Sequence, residues 1–208
     1  MRSSRLFFAL LAAIALIHAA AATAATSINM DDPRRVVGRE DDVRVDAQLI
    51  QDTVSPGSVI GVTYQIQNLS KNPVAVADKV MTASYDTDTQ TITLAIGAEV
   101  PVDGSMPHVV VIAPGDKKVL RAGAVPQYSA AALRARGRTP RFVQVKVSIL
   151  RDLVPFASVP YGSTLSDAQF EEWFESNDSI FLNTVPVSFS PGTGGSFGGK
   201  TADASSRY

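Results

Sequence analysis

Few side chains in this sequence have the types and spacing that a reactive centre requires. Histidine occurs twice, as His18 and His108, and cysteine does not occur. A Ser-His-acid triad needs a histidine base, but His108 follows Pro107 and the chain has no Gly-x-Ser-x-Gly turn. Copper and zinc sites need several histidine or cysteine ligands. The sequence therefore predicts no catalytic residues, no metal and no cofactor, in a protein that is not an enzyme.

Carboxylates offer the remaining route to chemistry. The segment Asp86–Gln90 reads D-T-D-T-Q and could begin a calcium loop, but Thr91 stands where a glycine is expected and Gly97 where a glutamate is expected. A hairpin tip is therefore favoured there over a calcium site. Glu171, Glu172 and Glu175 could supply paired carboxylates for glycoside hydrolysis, although a solvated helix face is the simpler interpretation.

Four arginines crowd one short segment and form a candidate binding site. They are Arg134, Arg136, Arg138 and Arg141. Guanidinium groups hold anions through paired hydrogen bonds, so this segment could bind a phosphate-bearing surface glycolipid. The alternative is a set of solvated arginines at the end of a short helical turn over 128–138, where the helix dipole favours cations.

Three aromatic residues form the second candidate binding site. They are Phe170, Trp173 and Phe174, which share one face of a helix predicted over 166–176. Ser166 as the N-cap and Gln169 three residues later make a capping box. Aromatic clusters anchor partner proteins in many interfaces. Packing against the core is the alternative, and it is the favoured interpretation.

Most of the elements that would position these residues are strands. After a Pro56-Gly57 turn, apolar residues alternate with polar or small ones over 59–67, which is the pattern of a half-buried strand. Further strands are predicted over 43–51, 74–77, 82–85, 91–96, 109–112, 117–121, 141–150 and 179–189. The strands at 82–85 and 91–96 are expected to form a hairpin. Pro186 interrupts the last strand and suggests an edge or a bulge.

The strand pattern around this turn resembles a known group of modules. Residues 54–74 read V-S-P-G-S-V-I-G-V-T-Y-Q-I-Q-N-L-S-K-N-P-V, and a second Pro-Gly turn follows at Ile112–Gly115. This combination is similar to bacterial immunoglobulin-like and fibronectin-type modules over roughly residues 43–150. The resemblance implies an all-β fold, a single immunoglobulin-like antiparallel β-sandwich with one or two short helices inserted. These families share a fold and not one activity, so the resemblance assigns no site residues.

The N-terminal segment, residues 1–25, is predicted to be a secretory signal peptide. Two arginines precede an apolar run over 6–17, and small residues ending in Ala22-Thr23-Ala24 follow, so cleavage is expected near Ala24 or Ala25. The apolar run is shorter than the ~20 residues that a membrane span needs. The mature chain is therefore expected to lack a membrane span and to be periplasmic or extracellular.

The remaining chain is predicted to form one domain over 43–190. An exposed, charged lead-in over 26–42 would precede it, and a flexible Gly/Ser-rich tail over 191–208 would follow. The chain has 19 Lys and Arg against 20 Asp and Glu, and loss of Arg2 and Arg5 with the signal peptide leaves it mildly acidic. Nucleic acid is therefore not an expected partner, because duplex binding needs a clustered basic face.

Together these observations predict a non-catalytic exported module that binds a protein or a surface polymer of the cell envelope. Two alternatives stay open. One is a hydrolase of carbohydrate or peptide that uses only carboxylates, with Asp86, Asp88, Glu171 and Glu172 as the candidates. The other is a periplasmic assembly chaperone that lends a strand to a subunit, although such chaperones typically have two sandwich domains and this chain has room for little more than one.

Overall fold

The computed structural model describes residues 28–128 and 138–191, which fold mostly into β-strands. The described strands are β1 Arg35–Glu40, β2 Val43–Leu49, β3 Thr53–Val54, β4 Ile60–Asn68, β5 Val74–Val76, β6 Met81–Asp86, β7 Thr91–Ile96, β8 Val110–Ile112, β9 Lys117–Ala124, β10 Phe142–Leu150, β11 Asn177–Phe181, β12 Val185–Pro186 and β13 Ser188–Phe189. One α-helix, α1 Asp167–Glu175, and two 3₁₀ turns, Val102–Gly104 and Val154–Phe156, complete the elements of the described residues. The predicted all-β class is confirmed.

The first sheet is antiparallel throughout and has the strand order β1-β2-β4-β9. In β2, the side chains of Val43, Val45, Ala47 and Leu49 are buried, which is the expected period of two. Val45 lies opposite Ile66 of β4, and Ala47 lies opposite Tyr64. The alternation read in the sequence therefore sets both the buried face and the register of this sheet.

The second sheet is built around β10. One edge of β10 pairs in parallel with β7, from Phe142 opposite Thr91 to Val147 opposite Ile96. Its other edge pairs antiparallel with β11 and β12, and Leu150 pairs with Ala75 of β5. β6 pairs with β7 and β8 with β5, both antiparallel. The expectation of a wholly antiparallel fold is therefore wrong for β7 and β10, because β10 enters the sheet beside β7 after the long connection that follows β9.

Side chains of both sheets form one buried cluster. Tyr64 of the first sheet belongs to it together with Leu94, Val145 and Ile180 of the second. A smaller cluster lies beside α1 and includes Trp173, the largest side chain buried there. The two clusters together hold the sheets and α1 as one packed unit.

The segment expected to be an exposed lead-in, 26–42, instead contains β1. Val36 is buried, and every residue of β1 pairs with β2. Arg35, the first residue of β1, is partnered rather than solvated, because it forms an ion pair with Asp46, a buried residue of β2. A run of charged residues can therefore form an edge strand when an acidic residue of the neighbouring strand pairs with one of its arginines.

The C-terminal part of the chain is more broken than predicted. The strand expected over 179–189 divides into β11, β12 and β13, and Pro186 ends β12. β13 pairs in parallel with β3, a two-residue strand that the sequence patterns did not indicate. The predicted helix over 166–176 is confirmed as α1. The signal peptide, most of the helical turn over 128–138 and nearly all of the tail lie outside the described residues.

Candidate functional site

The arginine segment is described only in part, since Arg134 and Arg136 lie outside the described residues. Arg138 forms an ion pair with Asp88 and donates a hydrogen bond to the carbonyl oxygen of Thr87 at 3.2 Å. The guanidinium of Arg141 lies 5.9 Å from the ring centre of Phe142. The side chains of Arg138 and Arg141 therefore have different neighbours, and that of Arg138 stabilises the tip of the β6–β7 hairpin.

The tip of that hairpin is organised by its own acidic side chain. The Asp86 carboxylate accepts hydrogen bonds from the Asp88 backbone N–H at 2.9 Å and from the Thr89 hydroxyl at 2.8 Å. The bond from the Asp88 backbone, followed by that from the Thr89 side chain, lowers the pKa of Asp86. In residues 28–128 and 138–191, no group of three or more His, Asp or Glu side chains could hold a metal ion. The carboxylate of Asp86 therefore has a structural role in the turn.

The three aromatic residues of α1 divide between core and surface. The helix begins with both bonds of the capping box between Ser166 and Gln169. Trp173 is 1% exposed, donates its indole N–H to the carbonyl oxygen of Ala98 at 2.8 Å, and packs edge-on against Phe156 at 5.2 Å between ring centres. Trp173 is therefore packed in the core, and its hydrogen bond attaches α1 to the segment that follows β7.

Phe170 and Phe174 lie on the solvent side of the same helix. They are 36% and 62% exposed, and their spacing of four residues places them on one side of α1. Val154 is 82% exposed on the adjoining 3₁₀ turn, which the Gln169 side chain contacts through a 3.3 Å hydrogen bond to the carbonyl oxygen of Pro155. The two exposed rings, Phe170 and Phe174, form what we call the aromatic patch.

The acidic residues proposed for hydrolysis lie on separate elements. Asp86 and Asp88 are at the hairpin tip, whereas Glu171 and Glu172 are on α1. Glu172 accepts a hydrogen bond from the Ser176 hydroxyl at 3.0 Å, at the C-terminal end of the helix. The described contacts give Asp86 a role in the turn, Asp88 a role in an ion pair with Arg138 and Glu172 a role at the helix end.

A cleft around His108 is a site that the sequence patterns did not single out. The Nδ1 atom of His108 lies 2.6 Å from a carboxylate oxygen of Asp78, a side chain that is largely buried. The ring of Tyr161 is 74% exposed and lies edge-on to the imidazole, with 6.0 Å between ring centres. Lys79 and Ser105 also line the cleft, which has a volume of about 270 Å³. We call it the His108 cleft.

Backbone hydrogen bonds tie together the two segments that wall the His108 cleft. The N–H of Met106 donates to the carbonyl oxygen of Ser163, and that of Gly162 donates to the carbonyl oxygen of Met106, both at 2.9 Å. The N–H of Leu165 donates to the carbonyl oxygen of Gly104 at 2.8 Å. The cleft is therefore formed by the fold itself, before any ligand binds.

The walls of the cleft also hold unusual backbone conformations. Asp103 has φ 56° and ψ 23°, in the left-handed region that non-glycine residues seldom occupy. Gly104 and Gly162 have φ 64° and 79° in the same two segments. Glycine adopts this conformation readily, so only at Asp103 must the surrounding structure hold the backbone in place.

No protein-family model and no curated protein sequence matches this chain. Among the described residues, no helix is both long enough and apolar enough to cross a membrane.

Proposed function

We propose that this chain is a non-catalytic, exported immunoglobulin-like β-sandwich module, located in the periplasm or outside the cell, that binds a component of the cell envelope. The signal-peptide pattern of residues 1–25 supports export. The two sheets with their shared core support the sandwich. Of a protein and a surface polymer, the aromatic patch favours a protein as the component bound there.

The observation that carries this proposal is the exposure of Phe174 on a helix that is otherwise firmly attached. Leaving a large apolar side chain in water forgoes roughly 25 cal/mol for each Å² that burial would remove. Its neighbour Trp173 is buried and hydrogen-bonded, so the backbone that presents Phe174 is fixed. A rigid aromatic side chain loses little entropy on binding, which is why such residues are effective anchors in interfaces.

The charges around the aromatic patch indicate the chemistry of the partner. Asp167, Glu171 and Glu175 of α1 are exposed, Glu172 is partly exposed, and the last turn of the helix has no basic residue. An apolar anchor with an acidic rim is complementary to a partner surface that has an apolar pocket surrounded by lysines or arginines. We therefore expect binding to weaken as ionic strength rises.

Cross-linking and pull-down from an envelope extract of the native host test the proposal. The wild-type chain is expected to capture a defined envelope protein, and Phe174→Ser is expected to reduce that capture at least tenfold. Phe181→Ser is the matched control, because Phe181 is 56% exposed but lies on β11. Capture that is equal for wild type and Phe174→Ser, or no specific capture at all, would contradict the proposal.

A further inference from the structure

We propose that the His108 cleft is a second binding site, separate from the aromatic patch, and that it takes an uncharged saccharide stacked on Tyr161. This inference does not depend on the protein-binding role proposed above. It comes from four properties of the cleft: an exposed aromatic ring, a mixed set of hydrogen-bonding groups, balanced charge and a preformed wall.

Tyr161 supplies the surface on which a sugar ring would lie. Its side chain is 74% exposed, although the adjoining Gly162 is fixed by its backbone hydrogen bond to Met106. The edge-on contact with the His108 ring further limits how the phenol can turn. One face of a pyranose ring carries several C–H groups of partial positive charge, and these pack favourably on the negative face of an aromatic ring.

His108 supplies an oriented hydrogen-bonding group beside that ring. An ionised carboxylate only accepts hydrogen bonds, so the contact with Asp78 requires that Nδ1 carries the proton. In the neutral imidazole, Nε2 is then an acceptor, and it has no hydrogen-bond partner among the described residues. The contact with Asp78 thus fixes both the tautomer and the ring orientation of His108.

Other groups on the cleft wall complete a set that suits hydroxyl ligands. Lys79 offers donors, the Asp103 carboxylate offers acceptors, and Ser105 offers a hydroxyl that donates at 3.2 Å to the carbonyl oxygen of Val102. Sugar hydroxyls both donate and accept, so a saccharide can satisfy such a mixture. Met106 and Val80 line the remaining wall with apolar surface.

The charges of the cleft favour an uncharged ligand over a phosphate or a sulfate. The Lys79 ammonium lies 3.6 Å from the Asp78 carboxylate, so these two charges compensate each other. Asp103 adds a negative charge, and no arginine lines the cleft. Even with His108 protonated, two cations would face two carboxylates, so the cleft has no surplus positive charge to hold an anion.

The dimensions agree with a small ligand held by a rigid site. A volume of about 270 Å³ is near the roughly 300 Å³ lower end of ligand clefts, and it suits one or two sugar rings of a surface polymer better than a protein segment. The backbone bonds that join 102–108 to 160–165 fix the walls in advance. Little conformational entropy is therefore lost on binding.

Saturation-transfer NMR and calorimetry on the purified chain test this inference. The probes are neutral oligomers of glucose, mannose, galactose and N-acetylglucosamine, with sulfated and uronic-acid oligomers for comparison. At least one neutral series is expected to bind. Tyr161→Ala is expected to weaken that binding at least tenfold, whereas Tyr161→Phe retains most of it because the stacking surface remains. His108→Ala is expected to weaken binding severalfold.

The control variant is Phe174→Ser, which removes a side chain of the aromatic patch and is expected to leave saccharide binding unchanged. Both Tyr161 and Phe174 are exposed, so folding should survive each substitution, and thermal unfolding verifies this. Three results would overturn the inference: no neutral saccharide binds, Tyr161→Ala binds like wild type, or the anionic oligomers bind more tightly than the neutral ones.

Discussion

The most unusual single residue in the core is Tyr64, a polar side chain that is fully buried in β4. Its hydroxyl has no hydrogen-bond partner among the described residues. A buried polar group without a partner costs about 1–3 kcal/mol of unfolding free energy. Tyr64→Phe keeps the ring and removes this cost, so we expect it to stabilise the protein by about 1 kcal/mol in urea denaturation.

The same residue predicts how stability changes at alkaline pH. Burial, and secondarily the negative charge of Asp78, raises the pKa of the Tyr64 phenol above that of an unfolded tyrosine. This difference in pKa contributes to the free energy of unfolding. The contribution is fully present below about pH 10, the pKa of the unfolded state, and is lost as the pH rises above it. The Tyr64→Phe variant should therefore lose less stability than wild type between pH 9 and about 11.

Tyr161→Phe is the matched control for both measurements, because Tyr161 is exposed and its hydroxyl stays in water in the folded protein. This variant should have the stability of wild type at neutral pH and the same alkaline dependence. If Tyr64→Phe proved less stable than wild type, the hydroxyl would have to be satisfied within the fold.

Within α1, adjacent aromatic residues have separate tasks, and mutation should distinguish them. Trp173→Ala removes a buried ring that contacts Phe156 and bonds to Ala98, so it should cost about 3–5 kcal/mol of unfolding free energy. Phe174→Ala removes an exposed ring and should stay within about 0.5 kcal/mol of wild type. Denaturant unfolding measures both values. Similar costs for the two variants would contradict this division between core and surface.

Elements whose signals are local could be predicted from the sequence. The alternation in β4, β7 and β10 and the capping box of α1 are short-range patterns, and the structure has these elements within a residue or two of the predicted bounds. β1 was missed because it lies in a run of charged residues, and the partner of Arg35 in that run is Asp46, a residue of another strand. The parallel pairing of β7 with β10 was missed for a related reason, since strand alternation does not specify which strand lies alongside.

The same limit applies to the candidate sites. The aromatic residues of α1 could be identified from helical spacing, but which of them is buried depends on Ala98 and Phe156, which are distant in the sequence. The His108 cleft could not be identified in this way. Asp78 and His108 are 30 residues apart, and Tyr161 reaches them from a third segment. Only the folded backbone brings these residues together.

The stability of the molecule as a whole depends on how closely its two sheets approach each other at β1. Gly38 of β1 leaves no room for a side chain, because an added Cβ would lie 2.9 Å from the Ile180 side chain and 2.9 Å from the Phe181 carbonyl oxygen of the second sheet. The backbone oxygen cannot move without disturbing the pairing of β11 with β10. Gly38→Ala should therefore cost about 1–3 kcal/mol, as overpacking of a core typically does.

Gly61→Ala is a matched control for this substitution, since Gly61 is also a strand glycine of the first sheet. Its added Cβ would meet the end of the Ile50 side chain at 2.8 Å, but Ile50 is largely exposed and can turn away. We expect the midpoint of denaturation to fall clearly for Gly38→Ala and only slightly for Gly61→Ala. Equal midpoints for the two variants would mean that the contact between β1 and β11 can adjust to a methyl group at little cost in free energy. The close approach of the sheets at that edge would then contribute little to the stability of the fold.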